Sequence, residues 1–459
     1  MSASVKIHFL GAAGTVTGSK FLIESPEKNI LIDCGLFQGI KKIRQLNWNQ
    51  LPIRVSEINL VLLTHGHLDH TGFLPNLVKM GYRGPIWATA PTIDIAKIIL
   101  EDSAKIQEEE AEKANKEHYT KHNPAKPLYK LEHVEKTIPL FEHQDEGEWM
   151  QISENIRVRF QYNGHILGST YLELDLYGKR FLFSGDVGRP SDPLLRKPKK
   201  PKKADFLFLE STYGDRLHPN KSTLDEMQQI ILETYEKKGT VIIPSFAVER
   251  AQLLLYLLWQ LRMQDKIPAS IPIILDSPMG ANVLELFQKH TDWHKLNSDE
   301  CAQMCNQARV TASFKETWEI IDDPQSKIII AGSGMVTGGR VLTYLQQYID
   351  RPETTVMLAG YQAEGTRGRQ LLEGLNEIKF YGKYFPVKAR IEYLEGLSGH
   401  ADQQELLEWI SDIKKTPEKV YLIHGEPQAL DMLRVKISDK FNWNVHIPDL
   451  FEIDTIPFD

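Results

Sequence analysis

The stretch Asn59-Leu60-Val61-Leu62-Leu63-Thr64-His65-Gly66-His67-Leu68-Asp69-His70 decides how this chain is read. Asn59 to Leu63 is an apolar run with the length of a buried strand, and it ends directly on residues able to hold a metal. In a loop leaving a strand, His65 and His67 can converge on one ion while Asp69 and His70 turn toward a second. Zinc takes imidazole nitrogen and carboxylate oxygen at about 2.0–2.2 Å in such sites. A His-rich surface loop is the bland alternative, and it does not account for four ligands packed into six residues.

Four ligands cannot complete two coordination spheres, so others must come from later in the chain. Three strand ends offer them. His165 stands in Asn163-Gly164-His165-Ile166-Leu167-Gly168-Ser169, Asp186 closes Phe183-Ser184-Gly185-Asp186, and His424 stands in Leu422-Ile423-His424-Gly425-Glu426. Each alone is a weak signal, because a strand-end His is more often a hydrogen-bonded structural residue. With the first four they make seven ligands on one side of a sheet, Asp186 being placed where a carboxylate could bridge two ions.

Around this core the first third of the chain is strand-rich. Lys20–Glu24 and Asn29–Asp33 read as a hairpin, and Thr92–Glu117 reads as a long helix. Strands follow at 156–162, 170–176, 180–183 and 205–209, and the proline-broken basic run Lys197–Lys203 reads as a loop. From about residue 211 strands and helices alternate. Strands are expected at 240–244, 271–276, 327–331 and 355–359, the signature of a parallel sheet with covering helices. A short return after Gly396 adds a helix, the strand 419–424 and a last helix.

Composition bounds the function. Of 459 residues, 42% are hydrophobic and 25% charged, an ordinary globular balance that excludes bulk disorder. At roughly 150 residues per domain the length fits two large domains or three smaller ones. No apolar run approaches the roughly 18 residues of a membrane span. The N-terminus lacks a basic segment followed by a long apolar one, and there are three cysteines, Cys34, Cys301 and Cys305. Both point to a reducing, cytoplasmic setting. The net charge of −7 means that any attraction for nucleic acid must be local rather than global.

The order Asp33, His65-His67-Asp69-His70, His165, Asp186 resembles the metallo-β-lactamase fold. Leu209-Glu210-Ser211-Thr212-Tyr213-Gly214, Ser398-Gly399-His400-Ala401-Asp402 and Ile423-His424-Gly425-Glu426 resemble the further motifs of the β-CASP nucleases. Within that family the match is to bacterial and archaeal homologues of the nuclease subunit of the cleavage and polyadenylation factor. The resemblance implies an α/β fold: a metallo-β-lactamase αββα sandwich (1–210 and 396–459) with an inserted β-CASP domain (211–395), a parallel sheet flanked by helices. It implies two zinc ions per chain, one on His65, His67 and His165, the other on Asp69, His70 and His424, with Asp186 bridging. Asp33, Asp69, Glu210 and His400 would form the catalytic set. Asp33 would orient the attacking water or its neighbours, and His400, held by Glu210, would be the general acid.

The implied activity is a zinc-dependent ribonuclease, endonuclease or 5′-to-3′ exonuclease, leaving 5′-phosphate and 3′-hydroxyl ends. Single-stranded RNA would be the partner, homo-oligomers remain open, and no membrane is involved. The archaeal relatives carry RNA-binding domains ahead of this core, whereas here the first strand starts by about residue 4. A hydrolase of small esters would need neither His400 nor an inserted domain of this size, and a non-catalytic scaffold would not keep every ligand. Two Gly-rich turns are expected to meet RNA phosphates: Ser333, Gly334 and Arg340 in the segment 330–340, and Arg367 in Glu364-Gly365-Thr366-Arg367-Gly368-Arg369. A tight strand-to-helix turn explains the first equally well, and a surface ion pair the second.

Overall fold

Ile156–Tyr162 and Thr170–Leu176 alternate side chains between two faces, and the antiparallel pair they form puts Ile156, Val158, Phe160, Leu172 and Leu174 on a buried face. They belong to a seven-stranded sheet in which Lys179–Phe183, Phe206–Glu210 and Lys419–Ile423 follow in order, the last three mutually parallel. A second seven-stranded sheet holds Ser4–Phe9, Phe21–Glu24, Asn29–Ile32, Leu60–Leu62 and Ile86–Ala88, closed at one edge by Ile453–Pro457. The computed structural model describes residues 4–117, 124–311, 313–360, 362 and 365–458.

The inner faces of the two sheets share one apolar layer, in which Phe9 packs against Phe21, Phe208 and Tyr421. The rings of Phe183, Phe208 and Tyr421 form a stack through its centre, with centroids 4.0 and 4.6 Å apart. Rings buried like these contribute roughly 1.5–3 kcal/mol each. Outer layers cover both sheets. Leu74–Lys79, Ala90–Glu117 and Leu131–Thr137 supply Leu74, Leu77, Leu100 and Val134 to one, and Gln403–Ile410 and Pro427–Phe441 supply Leu406, Trp409, Leu430 and Leu433 to the other. The result is an αββα sandwich. It forms one compact unit, Met1–Asp192, Arg196–Leu217 and His400–Asp459.

The other unit, Pro193–Leu195 and His218–Gly399, is built on a six-stranded, fully parallel sheet. Its strands run Arg309–Val310, Ile273–Asp276, Ile328–Gly332, Val241–Ser245, Thr355–Ala359 and Arg390–Leu394 in spatial order. Near-continuous apolar stretches such as Ile328-Ile329-Ile330 suit strands covered by helices on both faces. Glu377–Phe380 and Lys383–Pro386 add a separate two-stranded hairpin. No helix among the described residues is long and apolar enough to cross a membrane. Cys301 and Cys305 lie buried on the helix Ser298–Asn306, and Cys34 is buried as well.

Candidate metal centre

Parallel strands deliver their C-terminal ends to one rim of the sandwich, and the polar residues gather there. Asp33 follows Asn29–Ile32, Thr64 and His65 follow Leu60–Leu62, and His165 follows Ile156–Tyr162. Asp186 follows Lys179–Phe183, Glu210 closes Phe206–Glu210, and His424 follows Lys419–Ile423. Asp33 and His424 take left-handed backbone conformations, φ 55° and 49°. For residues with bulk beyond Cβ this region is sparsely occupied and concentrates at functional sites. Gly35 is required by contact: a Cβ there would fall 1.5 Å from the carbonyl oxygen of Asp69. The Asp33–Gly35 turn thereby lies flat against the His65–His70 loop, sealed by Cys34 N–H donating to His70 O at 2.7 Å.

Two ligand sets result. His65 Nε2 and His165 Nε2 approach His67 Nδ1 at 3.1 and 3.2 Å, and Asp186 Oδ2 lies 3.5 Å from both Nε2 atoms. His70 Nε2 lies 3.3 Å from His424 Nε2, with Asp69 Oδ2 3.4 Å from the latter and Asp186 Oδ1 3.3 Å from the former. Asp186 thus turns one oxygen to each set.

The hydrogen bonds behind the rings fix which nitrogen faces inward. The Thr64 hydroxyl donates to Asp33 Oδ2 at 2.8 Å, which leaves its oxygen to accept from His65 Nδ1 at 3.1 Å. Asp33 Oδ2 also accepts from His70 Nδ1 at 2.7 Å. The Thr212 hydroxyl donates to His424 O and accepts from His424 Nδ1 at 3.1 Å. Each of these rings therefore turns its Nε2 inward, the arrangement by which carboxylates and hydroxyls orient metal-binding imidazoles. Asp33 acts on its neighbour His70 rather than facing the centre.

The residues fit a cation. Bare imidazole lone pairs directed at one another repel, and the buried Asp186 Oδ1 accepts no hydrogen bond. Burial, with the neighbouring rings, holds His65 well below its ordinary pKa; burial likewise brings His67 down to about 4, so both are neutral and ready to ligate. For Asp69 burial works against ionisation, but the hydrogen bond from His424 and the nearby His70 bring its pKa down to about 2. His70 goes the other way. Burial would lower it, but Asp186 and Asp33 outweigh burial and raise it, so a cation must displace a proton there.

Beside these sets, Glu210 is fully buried and fully engaged. Its Oε1 accepts from Val187 N–H at 2.8 Å and from His400 Nδ1 at 3.2 Å, and Oε2 accepts from Thr212 N–H at 3.0 Å. The His400 ring lies 4.4 Å from that of His165. Burial opposes a charge on His400, but Glu210 by charge and hydrogen bond, with Asp186 and Asp69 behind it, raises its pKa to about 9.

The expected substrate contacts, Ser333, Gly334, Arg340 and Arg367, belong to the other unit. Arg340 is engaged internally. Its Nη1 donates to Asp276 Oδ1 at 2.8 Å and to Thr317 Oγ1 at 2.7 Å, and Asp276 further accepts from Thr311 and Tyr344. Arg367 donates to the carbonyls of Lys379 and Thr337. Ser333 and Gly334 stay in the turn after Ile328–Gly332, Gly334 with its carbonyl held by Gln362. Glu364 lies outside the described residues. Within the basic run, Lys199 pairs with Glu146 and Lys200 with Glu408.

Thr64, Thr212 and Lys20 escaped the sequence reading. Lys20 is buried with its ammonium donating to Gly35 O at 2.5 Å and lying 4.4 Å from the Phe37 ring centre, where it braces the Asp33–Gly35 turn. Only Thr64 carried a signal, its place one residue before His65.

Comparison with known proteins agrees with this geometry. Residues 13–81 match the metallo-β-lactamase superfamily, 251–371 the Beta-Casp domain, and 384–448 the Zn-dependent metallo-hydrolase RNA specificity domain. The chain is 34% identical over 428 residues to a ribonuclease of Thermus thermophilus, covering 92% of this chain and 93% of that one. The chain belongs to the β-CASP family of metallo-β-lactamase-fold hydrolases. A transcription termination factor of Methanocaldococcus jannaschii is 30% identical over 447 residues, which span 92% of this chain and 67% of the factor. A crystal structure of a protein of unknown function from Enterococcus faecalis covers 99% of this β-CASP chain at 11% identity, with a TM-score of 0.57, a likeness of fold alone.

Proposed function

We propose that this β-CASP protein is a zinc-dependent ribonuclease that cleaves single-stranded RNA to 5′-phosphate and 3′-hydroxyl ends. The observation that carries the reading is the convergence of His65, His67, His165 and of Asp69, His70, His424 on the two oxygens of Asp186, next to the Glu210–His400 pair. Those residues would hold two zinc ions, which when bound supply Lewis acidity to phosphoryl oxygens and lower the pKa of water. Imidazole and carboxylate donors favour zinc among the common divalent ions.

The chain's own residues do the rest. Asp33 and Thr64 hold His70 and His65 in one tautomer, and Thr212 does the same for His424. Glu210 takes the Nδ1–H of His400, leaving the opposite ring nitrogen to give a proton to the departing 3′ oxygen. Protonation of that oxygen, with water as the nucleophile, accounts for a 3′-hydroxyl end and an unused 2′-hydroxyl. Ser333 and Gly334 are proposed phosphate contacts, and Arg367 braces the turn that carries them. The relatives named as a ribonuclease and a termination factor support RNA as the substrate class.

Metal dependence is the experiment here. Cleavage of a labelled RNA is expected to stop when the protein is stripped by a chelator and to return with added zinc. Cleavage at full rate by metal-free protein would refute the reading.

A further inference from the structure

The hairpin Glu377–Pro386 lies outside both matched family segments for most of its length, since one ends at residue 371 and the next begins at 384. One face is anchored: Ile378 and Phe380 are buried in the core of the second unit, and Phe385 packs against it. That anchoring lets a two-stranded ribbon, marginal by itself, hold a fixed shape. The outer face is left to solvent and combines rings with positive charge. Lys379 sits directly opposite Tyr384, with its ammonium 5.3 Å from the ring centre. Tyr384 is 65% exposed and Tyr381, at the tip, 57%. Lys383 and Lys388 are exposed as well, against the single carboxylate of Glu377, so this segment is basic within a chain of net charge −7.

The tip departs from the local rule. Tyr381 and Gly382 both have positive φ, 46° and 84°, the pattern of a type I′ turn, whose first position favours Asn, Asp or Gly. A tyrosine in that conformation is strained. The ribbon is also tied to the glycine-rich turn. The Arg367 guanidinium donates to Lys379 O at 2.8 Å and to Thr337 O at 3.2 Å, joining the two through one side chain.

We infer that this ribbon is a binding surface for single-stranded RNA, with bases stacking on Tyr381 and Tyr384 and a phosphate meeting Lys379. The inference rests on the ribonuclease reading above. Aromatic rings with interleaved cations bind single strands with little sequence preference, because every base offers a π-face. The ribbon would therefore strengthen the grip on long substrates without taking part in bond cleavage.

The test compares steady-state cleavage of a long oligouridine and of a uridine dinucleotide by the zinc-loaded full chain, in wild type and in Tyr381→Asn with Tyr384→Thr. Asn is the favoured turn residue and Thr a good strand residue, so the fold and Tm should hold. KM for the long RNA should rise about 10- to 100-fold with kcat unchanged, while the dinucleotide shows no difference. Lys379→Gln should lower the slope of log KM against log salt by about 0.7, one phosphate contact on a single strand. An unchanged KM for the long RNA, or an equal loss on both substrates, would overturn the inference and leave the ribonuclease reading standing. A wild-type protein that cleaves neither substrate would overturn both.

Discussion

Asp186→Ala is expected to abolish RNA cleavage, lowering the rate by about 10³-fold or more, the kinetic equivalent of the several kcal/mol of charge stabilisation that metal-assisted catalysis supplies. The reason is positional. Among the described residues, Asp186 is the carboxylate that turns an oxygen to each ligand set, Oδ2 toward His65 and His165 and Oδ1 toward His70. Removing it takes one carboxylate oxygen from each set and leaves the surrounding imidazoles without the negative charge they share. Zinc content by native mass spectrometry should fall below that of the wild type. Thr64→Val is the graded counterpart. It keeps every ligand and removes only the hydroxyl that orients His65 and secures Asp33, so the loss should be about 10- to 100-fold. Full zinc content and full activity in Asp186→Ala would contradict the bridging role.

The second large effect is on His400. Replacement by Ala should slow RNA cleavage by about 10²- to 10⁴-fold, the range for loss of a positioned general acid, with zinc content unchanged. The proposed role predicts a substrate dependence that a structural role does not. A phosphodiester with a nitrophenolate leaving group needs no proton on departure, so His400→Ala should cleave it at nearly the wild-type rate. The pH profile has a definite sign. A general acid works in its protonated form, so activity is retained below the His400 pKa, raised to about 9, and lost as pH rises through it. Cations held by the neighbouring rings would pull that limb downward. Glu210→Gln removes the charge that favours the imidazolium, so the limb should move to lower pH still.

Strands and candidate ligands were legible in the sequence where the signal was local. Ile156–Tyr162 alternates and is bounded by turn residues, and Thr355–Ala359 is a short apolar run between them; both ends of each agree with the reading. His65 to His70 announced themselves by spacing within one loop. His165, Asp186 and His424 were legible only as strand ends, because what brings them together is the order of strands far apart in sequence within one sheet. The hairpin Glu377–Pro386 and the strand Phe141–His143 were missed: they are short, and Phe141–His143 carries little buried apolar surface to set a period. Arg340 follows a glycine-rich turn and read as a phosphate ligand. Its partner Asp276 is a buried carboxylate 64 residues earlier, a pairing that no local pattern encodes. Thr212 and Lys20 were silent for the same reason, since each acts through a hydrogen bond to a group placed by the fold.

The central claim is that this centre hydrolyses RNA. An RNA oligonucleotide and its DNA counterpart, both labelled at the 5′ end, should be incubated with the zinc-loaded protein and with Asp69→Ala. The account predicts cleavage of the RNA alone, absent in the variant, with mid-length labelled fragments marking endonuclease action and labelled mononucleotide marking 5′ exonuclease action. Intact RNA in the presence of zinc-loaded wild-type protein would contradict it.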